Sequence, residues 1–493
     1  MHKGSVNQMD SDQRNRGVPF PGDFSGWHSD TPGGTPEDVQ WAVQQLTQLR
    51  YEPSVRHEQL RLMMERREGG EGAVQFEYLP AEVGFDTVLV KGELLITAES
   101  YFGYHGGLRW NGRSQSAKSY LDSLGLEPAR VDCAELADRI LRLVPSKHLG
   151  AHVLADIARN LRLRGFSASF SYCTPTAPVH KHPPLPGPNQ APPPPPGPGP
   201  QPGPNQPAAL RAEWQPAKVA RVAIIDTGIA DQRVDRADSL LSGVPRTPRN
   251  IDPLTRFPIG DPDQYLDFDA GHGTFVAGLV NQVDPYAPIS MYRAVDSDNI
   301  ASEVDVACAM IEAVRDGNQI INLSLGCQTQ DDFPPIALEA ALAVIAELDA
   351  GKPDEEKTII VAAAGNCGDT RPFWPAAFPG VVAVAGLNPN MTPSPWSGHG
   401  SWVTFSTVGQ GLRSTFVYGK ESPLIDPAET EFLAPNPFAV WSGTSFAAPQ
   451  IAGAIARLYQ APGVSLRAAL DQLLQVAVPI PGFGRAVQIL RGI

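Results

Sequence analysis

A stretch of 30 residues, 178–207, contains 15 prolines and divides the sequence into two parts. A segment of this composition cannot bury enough apolar surface to fold, and it favours the extended polyproline II conformation. The chain of 493 residues is also longer than one ordinary domain. We therefore predict a Pro-rich linker over residues 174–214. It serves as a spacer or, in a less favoured alternative, as a docking site for a proline-recognition protein.

The part before the linker is predicted to begin with a disordered N-terminus, residues 1–35, which is rich in Gly, Pro, Asp and Ser. Residues 36–173 combine a helical segment with a small α+β domain. The apolar pattern predicts a β-hairpin within 87–97 and helices over 134–144 and 152–164. No pattern in this part indicates a chemical activity. We expect an adaptor or regulatory domain that recruits a substrate or a protein partner.

The part after the linker, residues 215–493, alternates short apolar runs with helical segments. The runs occupy residues 221–225, 289–294, 320–325, 358–363 and 381–385. Continuous apolar strands alternating with helices are typical of a parallel sheet that is covered on both faces. The predicted fold class is therefore α/β, with a doubly wound, mostly parallel sheet preceded by the small α+β domain and the Pro-rich linker. Active sites of such sheets lie at the carboxyl ends of the strands.

Charge and composition exclude several functions. The net charge of −14 disfavours a phosphate-binding face, so no nucleic-acid partner is expected. The sequence contains no apolar run of transmembrane length and no signal-peptide pattern, which predicts a cytoplasmic protein without a membrane partner. Its five cysteines are an odd number and include no C-x-x-C pair, which fits a reducing compartment and gives no zinc ribbon.

Three polar residues beside glycines carry the strongest signal of chemistry. Asp226 ends the apolar run 222–226, His272 lies between two glycines, and Ser445 opens a helix of small residues. Each alone has an ordinary explanation, such as a helix cap or a turn. Together they supply a nucleophile, a base and a carboxylate that orients the base, as a catalytic triad requires.

Two other hydrolase classes fit the sequence poorly. Asp-Thr-Gly at 226–228 also occurs in aspartic proteases, but these need two such carboxylates and this chain has one copy. An α/β-hydrolase would carry a G-x-S-x-G motif, which is absent. A fourth candidate, Asn366, follows an apolar run, where its amide could donate a hydrogen bond to a developing oxyanion.

Four segments together resemble the subtilisin-like serine proteases. They are D-T-G at 226–228, G-H-G-T-x-V-A-G at 271–278, A-A-G-N at 363–366 and G-T-S-x-A-A-P at 443–449. The resemblance covers about residues 215–493, and the order Asp, His, Ser agrees with the subtilisin order.

This resemblance implies a serine endopeptidase in which Ser445 attacks the peptide carbonyl, His272 moves the proton and Asp226 orients the imidazole. The backbone N–H of Ser445 and the amide of Asn366 would bind the oxyanion. An extended protein or peptide substrate would pair with residues 324–326 on one side and 296–301 on the other. The expected substrate-binding residues are Ser324, Leu325, Gly326, Ala364, Gly365 and Phe373.

The chain also departs from the family pattern. After His272 the helix continues without the loop that binds calcium in many members, so no metal site and no cofactor are expected. Phe373 lies near the floor of the expected specificity pocket, where a ring would favour small residues before the scissile bond. Cys327 and Cys367 each follow a substrate-lining segment, either as inert thiols or as thiols that make the activity sensitive to modification.

Two further alternatives remain open from the sequence. The N-terminal region could be an inhibitory pro-domain, although the long linker weakens intramolecular inhibition. The chain could also be a non-catalytic peptide-binding scaffold that retains the fold.

Overall fold

The computed structural model describes residues 53–68, 73–80, 86–103, 116–147, 149–175, 216, 218–232, 240–424, 431–432 and 438–492. The predicted disordered N-terminus, the first part of the helical segment and nearly all of the Pro-rich linker lie outside these residues. In the residues that are described, no helix is both long enough and apolar enough to cross a membrane.

The N-terminal part forms an antiparallel sheet with five strands in its described residues. Its elements are α1 (Pro53–Glu65), β1 (Phe76–Leu79), β2 (Thr87–Thr97), α2 (Ala98–Phe102), α3 (Lys118–Ser123), β3 (Leu126–Ala129), α4 (Ala134–Ala137), β4 (Ile140–Pro145), α5 (Ala151–Leu163) and β5 (Ala168–Tyr172). Strand β2 is central and pairs with β1, β4 and β5, while β3 lies beside β4.

Two expectations for this part are wrong. The predicted hairpin is one continuous strand, β2, because Gly92 adopts a left-handed conformation (φ 69°) within a β-bulge rather than a turn. The predicted helix over 134–144 ends at Ala137, and its second half is strand β4. Pairing of β4 with both β2 and β3 outweighs the helical spacing of its apolar residues.

The part after the linker is built on a mixed sheet of eight strands within the described residues. Its elements are β6 (Val222–Asp226), β7 (Ile229–Ala230), β8 (Ile251–Asp252), α6 (His272–Val283), β9 (Ile289–Arg293), α7 (Glu303–Arg315), β10 (Ile320–Leu323), α8 (Ile336–Leu348), a 3-10 turn (Asp354–Glu356), β11 (Ile359–Ala363), β12 (Val382–Leu387), β13 (Phe405–Val408), β14 (Leu412–Thr415), β15 (Gly419–Lys420), β16 (Glu431–Phe432), β17 (Phe438–Trp441), α9 (Thr444–Tyr459), α10 (Leu466–Val476), β18 (Val478–Pro479) and β19 (Arg485–Ala486). The order across the sheet is β18-β19-β13-β12-β11-β10-β6-β9, and only the β18–β19 pair is antiparallel among these neighbours.

Both faces of this sheet are buried, which confirms the predicted α/β class. Along β6, Val222 and Ile224 point into the core shared with α6 and α9, whereas Ala223 and Ile225 point into the core shared with α7 and α8. Continuous apolar strands follow from this two-sided burial. The carboxyl ends of β6, β10 and β11 consequently meet at one edge, where the polar candidate residues lie.

The N-terminal sheet packs directly on the larger part. Leu95 of β2 and Ile140 of β4 belong to the same apolar cluster as α7 and α8. Their neighbours Leu94 and Leu141 face the opposite side, in a cluster with α5. The N-terminal sheet is therefore sandwiched between its own helix α5 and two helices, α7 and α8, of the part after the linker.

Candidate active site

Asp226 and His272 form a buried hydrogen-bonded pair. Asp226 is the last residue of β6, and His272 is the first residue of α6. The imidazole Nδ1 lies 2.7 Å from Oδ1 of Asp226, and both side chains are fully buried. The same carboxylate oxygen accepts a hydrogen bond from the backbone N–H of Thr227 at 2.7 Å. This arrangement fixes the ring and leaves its other nitrogen, Nε2, buried without a hydrogen-bond partner.

A second carboxylate, Asp252, links the two motifs and was not found from the sequence. Its Oδ2 accepts hydrogen bonds from the Thr227 hydroxyl (2.9 Å) and from the Gly271 N–H (2.8 Å). The Thr227 hydroxyl in turn accepts from the Gly273 N–H at 3.1 Å. A Cβ at Gly273 would collide with the carbonyl oxygen of Gly228, so this close approach requires glycine. Asp252 ends a strand of two residues, too short a run to mark it in the sequence.

Ser445 is the second residue of α9, directly before a residue that contacts the imidazole of His272. The ring of the next residue, Phe446, is 5.2 Å from that of His272 between centroids. The Ser445 hydroxyl donates to the backbone carbonyl of Ser324 at 2.9 Å, and the Ser324 hydroxyl donates to the carbonyl of Ser445 at 2.6 Å. The serine is thus held at the sheet edge, with its hydroxyl on Ser324 rather than on His272.

Asn366 is oriented by the residue that precedes Ser445. Its Oδ1 accepts hydrogen bonds from the backbone N–H and from the hydroxyl of Thr444, each at 3.0 Å. Because both groups of Thr444 donate, the side-chain atom that faces them is the oxygen. The amide nitrogen is therefore directed away from Thr444. At the first turn of α9, backbone N–H groups lack intrahelical acceptors. Because Asn366 is bonded to Thr444 in this turn, its side-chain amide and these backbone N–H groups are two kinds of hydrogen-bond donor that lie close together.

Charge around His272 raises the pKa of its imidazole. Burial of the ring opposes protonation, but the carboxylates of Asp226, Asp269 and Asp252 together with the Asp226 hydrogen bond outweigh it. The pKa of His272 therefore lies above the ordinary value of 6.5. An imidazole with a raised pKa is a stronger base once it has lost its proton.

The two expected substrate-binding edges are occupied by the chain itself. Directly after β5, the Thr174 N–H donates to the carbonyl of Ala301 at 2.9 Å. The Gly326 N–H donates to the carbonyl of Pro175 at 2.9 Å. The end of the N-terminal domain thus pairs with both edges, in the manner predicted for an extended peptide.

Phe373 fills the space between the two segments that follow β10 and β11. A Cβ on Gly326 or on Gly365 would collide with its ring. The side chains of Leu325 and Ala364 are fully buried in the cores, so only their backbone could meet a ligand. The expected specificity pocket is therefore narrowed by an aromatic ring.

Cys327 follows one of the two segments at this edge. Burial raises the pKa of the Cys327 thiol well above its ordinary value, which favours the interpretation as an inert thiol. Among the residues described, no group of three His, Cys, Asp or Glu side chains could hold a metal ion.

Comparisons with known proteins point to one family. The sequence model of the Subtilase family (Peptidase S8) matches residues 218–476, slightly more than half of the chain. The chain is 28% identical over 264 residues to the thermophilic serine proteinase of Bacillus sp. (strain AK1), covering 51% of this chain and 55% of that protein. It is 28% identical over 265 residues to thermitase of Thermoactinomyces vulgaris, covering 51% and 80%. The chain thus spans about half the length of the first of these relatives.

A solved structure of a lanthipeptide protease is 23% identical, with a TM-score of 0.41, and the match covers 58% of this chain and 91% of that one. The region matched by the Subtilase family model, residues 218–476, contains all four segments 226–228, 271–278, 363–366 and 443–449.

Proposed function

This chain belongs to the subtilase family, and we propose on that basis that it is a serine endopeptidase acting through Ser445, His272 and Asp226. The observation that carries the proposal is the buried 2.7 Å contact between His272 and Asp226, which leaves Nε2 without a hydrogen-bond partner, together with the contact between the imidazole and the ring of Phe446, the residue after Ser445. A buried base held by a carboxylate next to a serine is the arrangement that nucleophilic catalysis requires.

In the proposed mechanism the Ser445 hydroxyl first turns from the Ser324 carbonyl to Nε2 of His272. The imidazole takes the proton as Oγ bonds to the carbonyl carbon of the substrate. The negative charge on the carbonyl oxygen is met by the Ser445 N–H and the amide of Asn366. His272 then gives its proton to the leaving amine, and water repeats the two steps on the acyl-enzyme. Asp226 holds the His272 imidazole in the tautomer that carries its proton on Nδ1, and it stabilises the imidazolium that forms.

A fluorophosphonate probe tests this proposal. We expect the wild-type chain and a control with the exposed serine changed, Ser401→Ala, to be labelled, and Ser445→Ala to remain unlabelled. The alternative of a non-catalytic scaffold predicts no labelling of any variant. Because the N-terminal domain covers the site, labelling should also be measured in the variant Arg66→Ala, which is designed below to release it. Label retained by Ser445→Ala, or absent from all the others, contradicts the proposal.

For the N-terminal domain we propose a regulatory role, as an inhibitor of the site in the same chain. Support comes from Thr174 and Pro175, whose backbone bonds to Ala301 and Gly326 use the groups that an extended substrate would need. These contacts favour the inhibitory alternative over recruitment of a separate partner. The predicted cytoplasmic location and the further protein partner remain predictions.

We also propose that the enzyme prefers small residues immediately before the scissile bond. The proposal is supported by the ring of Phe373, which packs against both Gly326 and Gly365. A peptide library profiled with wild type and Phe373→Ala tests it. Wild type should cleave after Ala or Ser, and the variant should extend its range to larger side chains. Best cleavage after aromatic residues by the wild type contradicts the idea.

A further inference from the structure

Helix α9 lacks one of its own backbone hydrogen bonds, at the residue that carries the proposed nucleophile. In an α-helix the carbonyl of Ser445 would accept from the backbone N–H four residues later. That residue is Pro449, which lies inside the helix and has no N–H to donate. The proline ring also crowds the carbonyl four residues before it. The Ser445 carbonyl therefore needs a hydrogen-bond donor from outside α9.

Ser324 supplies this donor. It directly follows strand β10, and its hydroxyl donates to the Ser445 carbonyl at 2.6 Å. The backbone carbonyl of Ser324 accepts from the Ser445 hydroxyl at 2.9 Å. Both serines are fully buried, so bulk water does not compete for these hydrogen bonds. Ser445 is thus bound to one residue through its main chain and through its side chain.

Asn322 orients the Ser324 hydroxyl. The side-chain nitrogen of Asn322 donates to Oγ of Ser324 at 2.9 Å. Because a hydroxyl group carries a single proton, an oxygen that accepts from Asn322 can direct that proton to the Ser445 carbonyl. The three residues form a chain of hydrogen bonds that runs from the interior of the sheet to the first turn of α9.

An asparagine is unexpected at position 322 of the sheet. It lies in β10 beside Ile224 and Val361, whose side chains belong to the apolar cluster shared with α6 and α9. Its side chain is fully buried, and Oδ1 has no hydrogen-bond partner among the residues that the structure describes. A buried oxygen without a partner is unfavourable, so packing alone favours an apolar residue at this position. The useful group of this amide is therefore its nitrogen, which donates to Ser324.

We propose that Ser324 is a positioning residue, which fixes the backbone of Ser445 through its hydroxyl and so sets the point from which the nucleophile reaches His272. This inference rests on the proposed function, because it assigns a role in the reaction of Ser445. The backbone hydrogen bonds of α9 cannot take over this role, since Pro449 removes the donor. A displacement of a reacting atom by about 1 Å can lower a rate about 10²-fold, so loss of this contact should appear in kcat.

The experiment measures peptide hydrolysis and fluorophosphonate labelling of the full chain in the Arg66→Ala background, in which the N-terminal domain should be released. Ser324→Ala should lower kcat by about tenfold or more and leave KM within about twofold, because it displaces the nucleophile rather than the bound peptide. The labelling rate should fall by a similar factor, since the probe reacts with Ser445 without pairing with residues 324–326.

The matched control is Ser406→Ala in the same background. Ser406 lies in strand β13 of the same sheet and is fully buried. Its hydroxyl has no hydrogen-bond partner within the described part of the chain. The control therefore removes a buried hydroxyl without removing a contact to Ser445, and it should keep the kcat, KM and labelling rate of the background.

A double variant separates positioning from stability. Pro449→Ala restores the backbone N–H that can bond to the Ser445 carbonyl within α9. In the double variant Ser324→Ala, Pro449→Ala the thermal midpoint, followed by circular dichroism, should recover relative to Ser324→Ala, while kcat should stay low. The helix then satisfies the carbonyl but does not hold it against the sheet. This variant also keeps the inference testable if Ser324→Ala alone does not fold.

The outcomes distinguish the two proposals. A background chain that neither hydrolyses peptides nor takes up the label contradicts the proposed function, and the role of Ser324 falls with it. A background chain that is labelled, and in which Ser324→Ala behaves like Ser406→Ala, contradicts the positioning role alone. Recovery of kcat together with stability in the double variant would show that the hydrogen bond is only structural, which also overturns the inference.

Discussion

The two parts of this molecule display their roles in different ways. In the part after the linker, which we propose to be catalytic, Asp226, His272 and Ser445 each lie at the end of a strand or the start of a helix, within a local motif. In the N-terminal domain we found no such motif, and the role that we propose rests on its contacts with the segments 296–301 and 324–326. Catalytic chemistry needs particular side chains within short segments, whereas a covering surface needs only complementary contacts. The difference explains why the role of the part after the linker can be predicted from sequence motifs, whereas the role of the N-terminal domain cannot.

The contact between the parts includes a buried charge cluster. Arg66 and Arg67 follow helix α1 and are 5% and 0% exposed. Arg66 lies 2.9 Å from Asp267 and 3.1 Å from Asp298. Arg67 lies 2.7 Å from Asp296 and 3.3 Å from Asp298. Asp296 and Asp298 belong to the segment 296–301, which we propose as one substrate edge, so this cluster joins the N-terminal region to the proposed site.

The largest expected effect concerns the catalytic part. Asp226→Asn should lower kcat by about 10⁴-fold, because the amide favours the wrong imidazole tautomer and gives no charge to the imidazolium. The rate of peptide hydrolysis by the variant measures this. The exposed Asp231→Asn serves as the matched control and should keep wild-type activity. A loss below tenfold would mean that the buried 2.7 Å contact is structural rather than catalytic.

The next largest effect concerns the N-terminal domain and is an increase in activity rather than a loss. Arg66→Ala removes the guanidinium that pairs with Asp267 and one of the two that pair with Asp298, and breaking a buried pair costs about 3–5 kcal/mol. Even part of that cost shifts the docked state toward release, so peptide hydrolysis should rise by about tenfold or more, since about 1.4 kcal/mol corresponds to a factor of ten.

The matched control for this variant is Arg139→Ala, which breaks the Arg139–Glu347 pair between the same two parts. Its arginine and glutamate side chains are 36% and 62% exposed, so the cost should be about 1 kcal/mol or less. Circular dichroism establishes that both variants are folded. Equal activities of the two variants would show that the buried charge cluster does not stabilise the docked position of the N-terminal domain.

The sequence predicted those features that depend on local pattern. The apolar runs 221–225 and 358–363 predicted the buried strands β6 and β11, and the polar residues after them indicated the sheet edge at which we propose the site. Asp252 was missed because its function depends on contacts with Thr227 and Gly271, which are distant in the chain and close in the fold. A single carboxylate after a strand of two residues leaves no periodic signal.

The N-terminal domain shows the limits of local pattern more strongly. Strand β4 carries apolar residues at helical spacing, yet it pairs on both edges within the sheet. In β2 the sequence Lys91-Gly92-Glu93 looked like a turn and forms a bulge. The hydrogen bonds of Thr174 and Pro175 use only backbone atoms, which any sequence supplies. Occupation of the substrate edges could therefore not be predicted from side-chain identity.

The smallest effect is a shift in the pH dependence and tests how the catalytic part tunes its base. His272 acts only when deprotonated, and its pKa is raised above 6.5 despite burial, by the carboxylates of Asp226 and Asp269 among others. Activity should therefore increase with pH through a midpoint above 6.5 in a profile of kcat/KM. Asp269→Asn removes one of these charges and should move the midpoint to lower pH, while Asp231→Asn should leave it in place. The profile should also be recorded in the Arg66→Ala background, so that release of the N-terminal domain does not contribute to the measured pH dependence. An acid midpoint that stays fixed in Asp269→Asn in both backgrounds would show that the surrounding carboxylates do not set the basicity of His272.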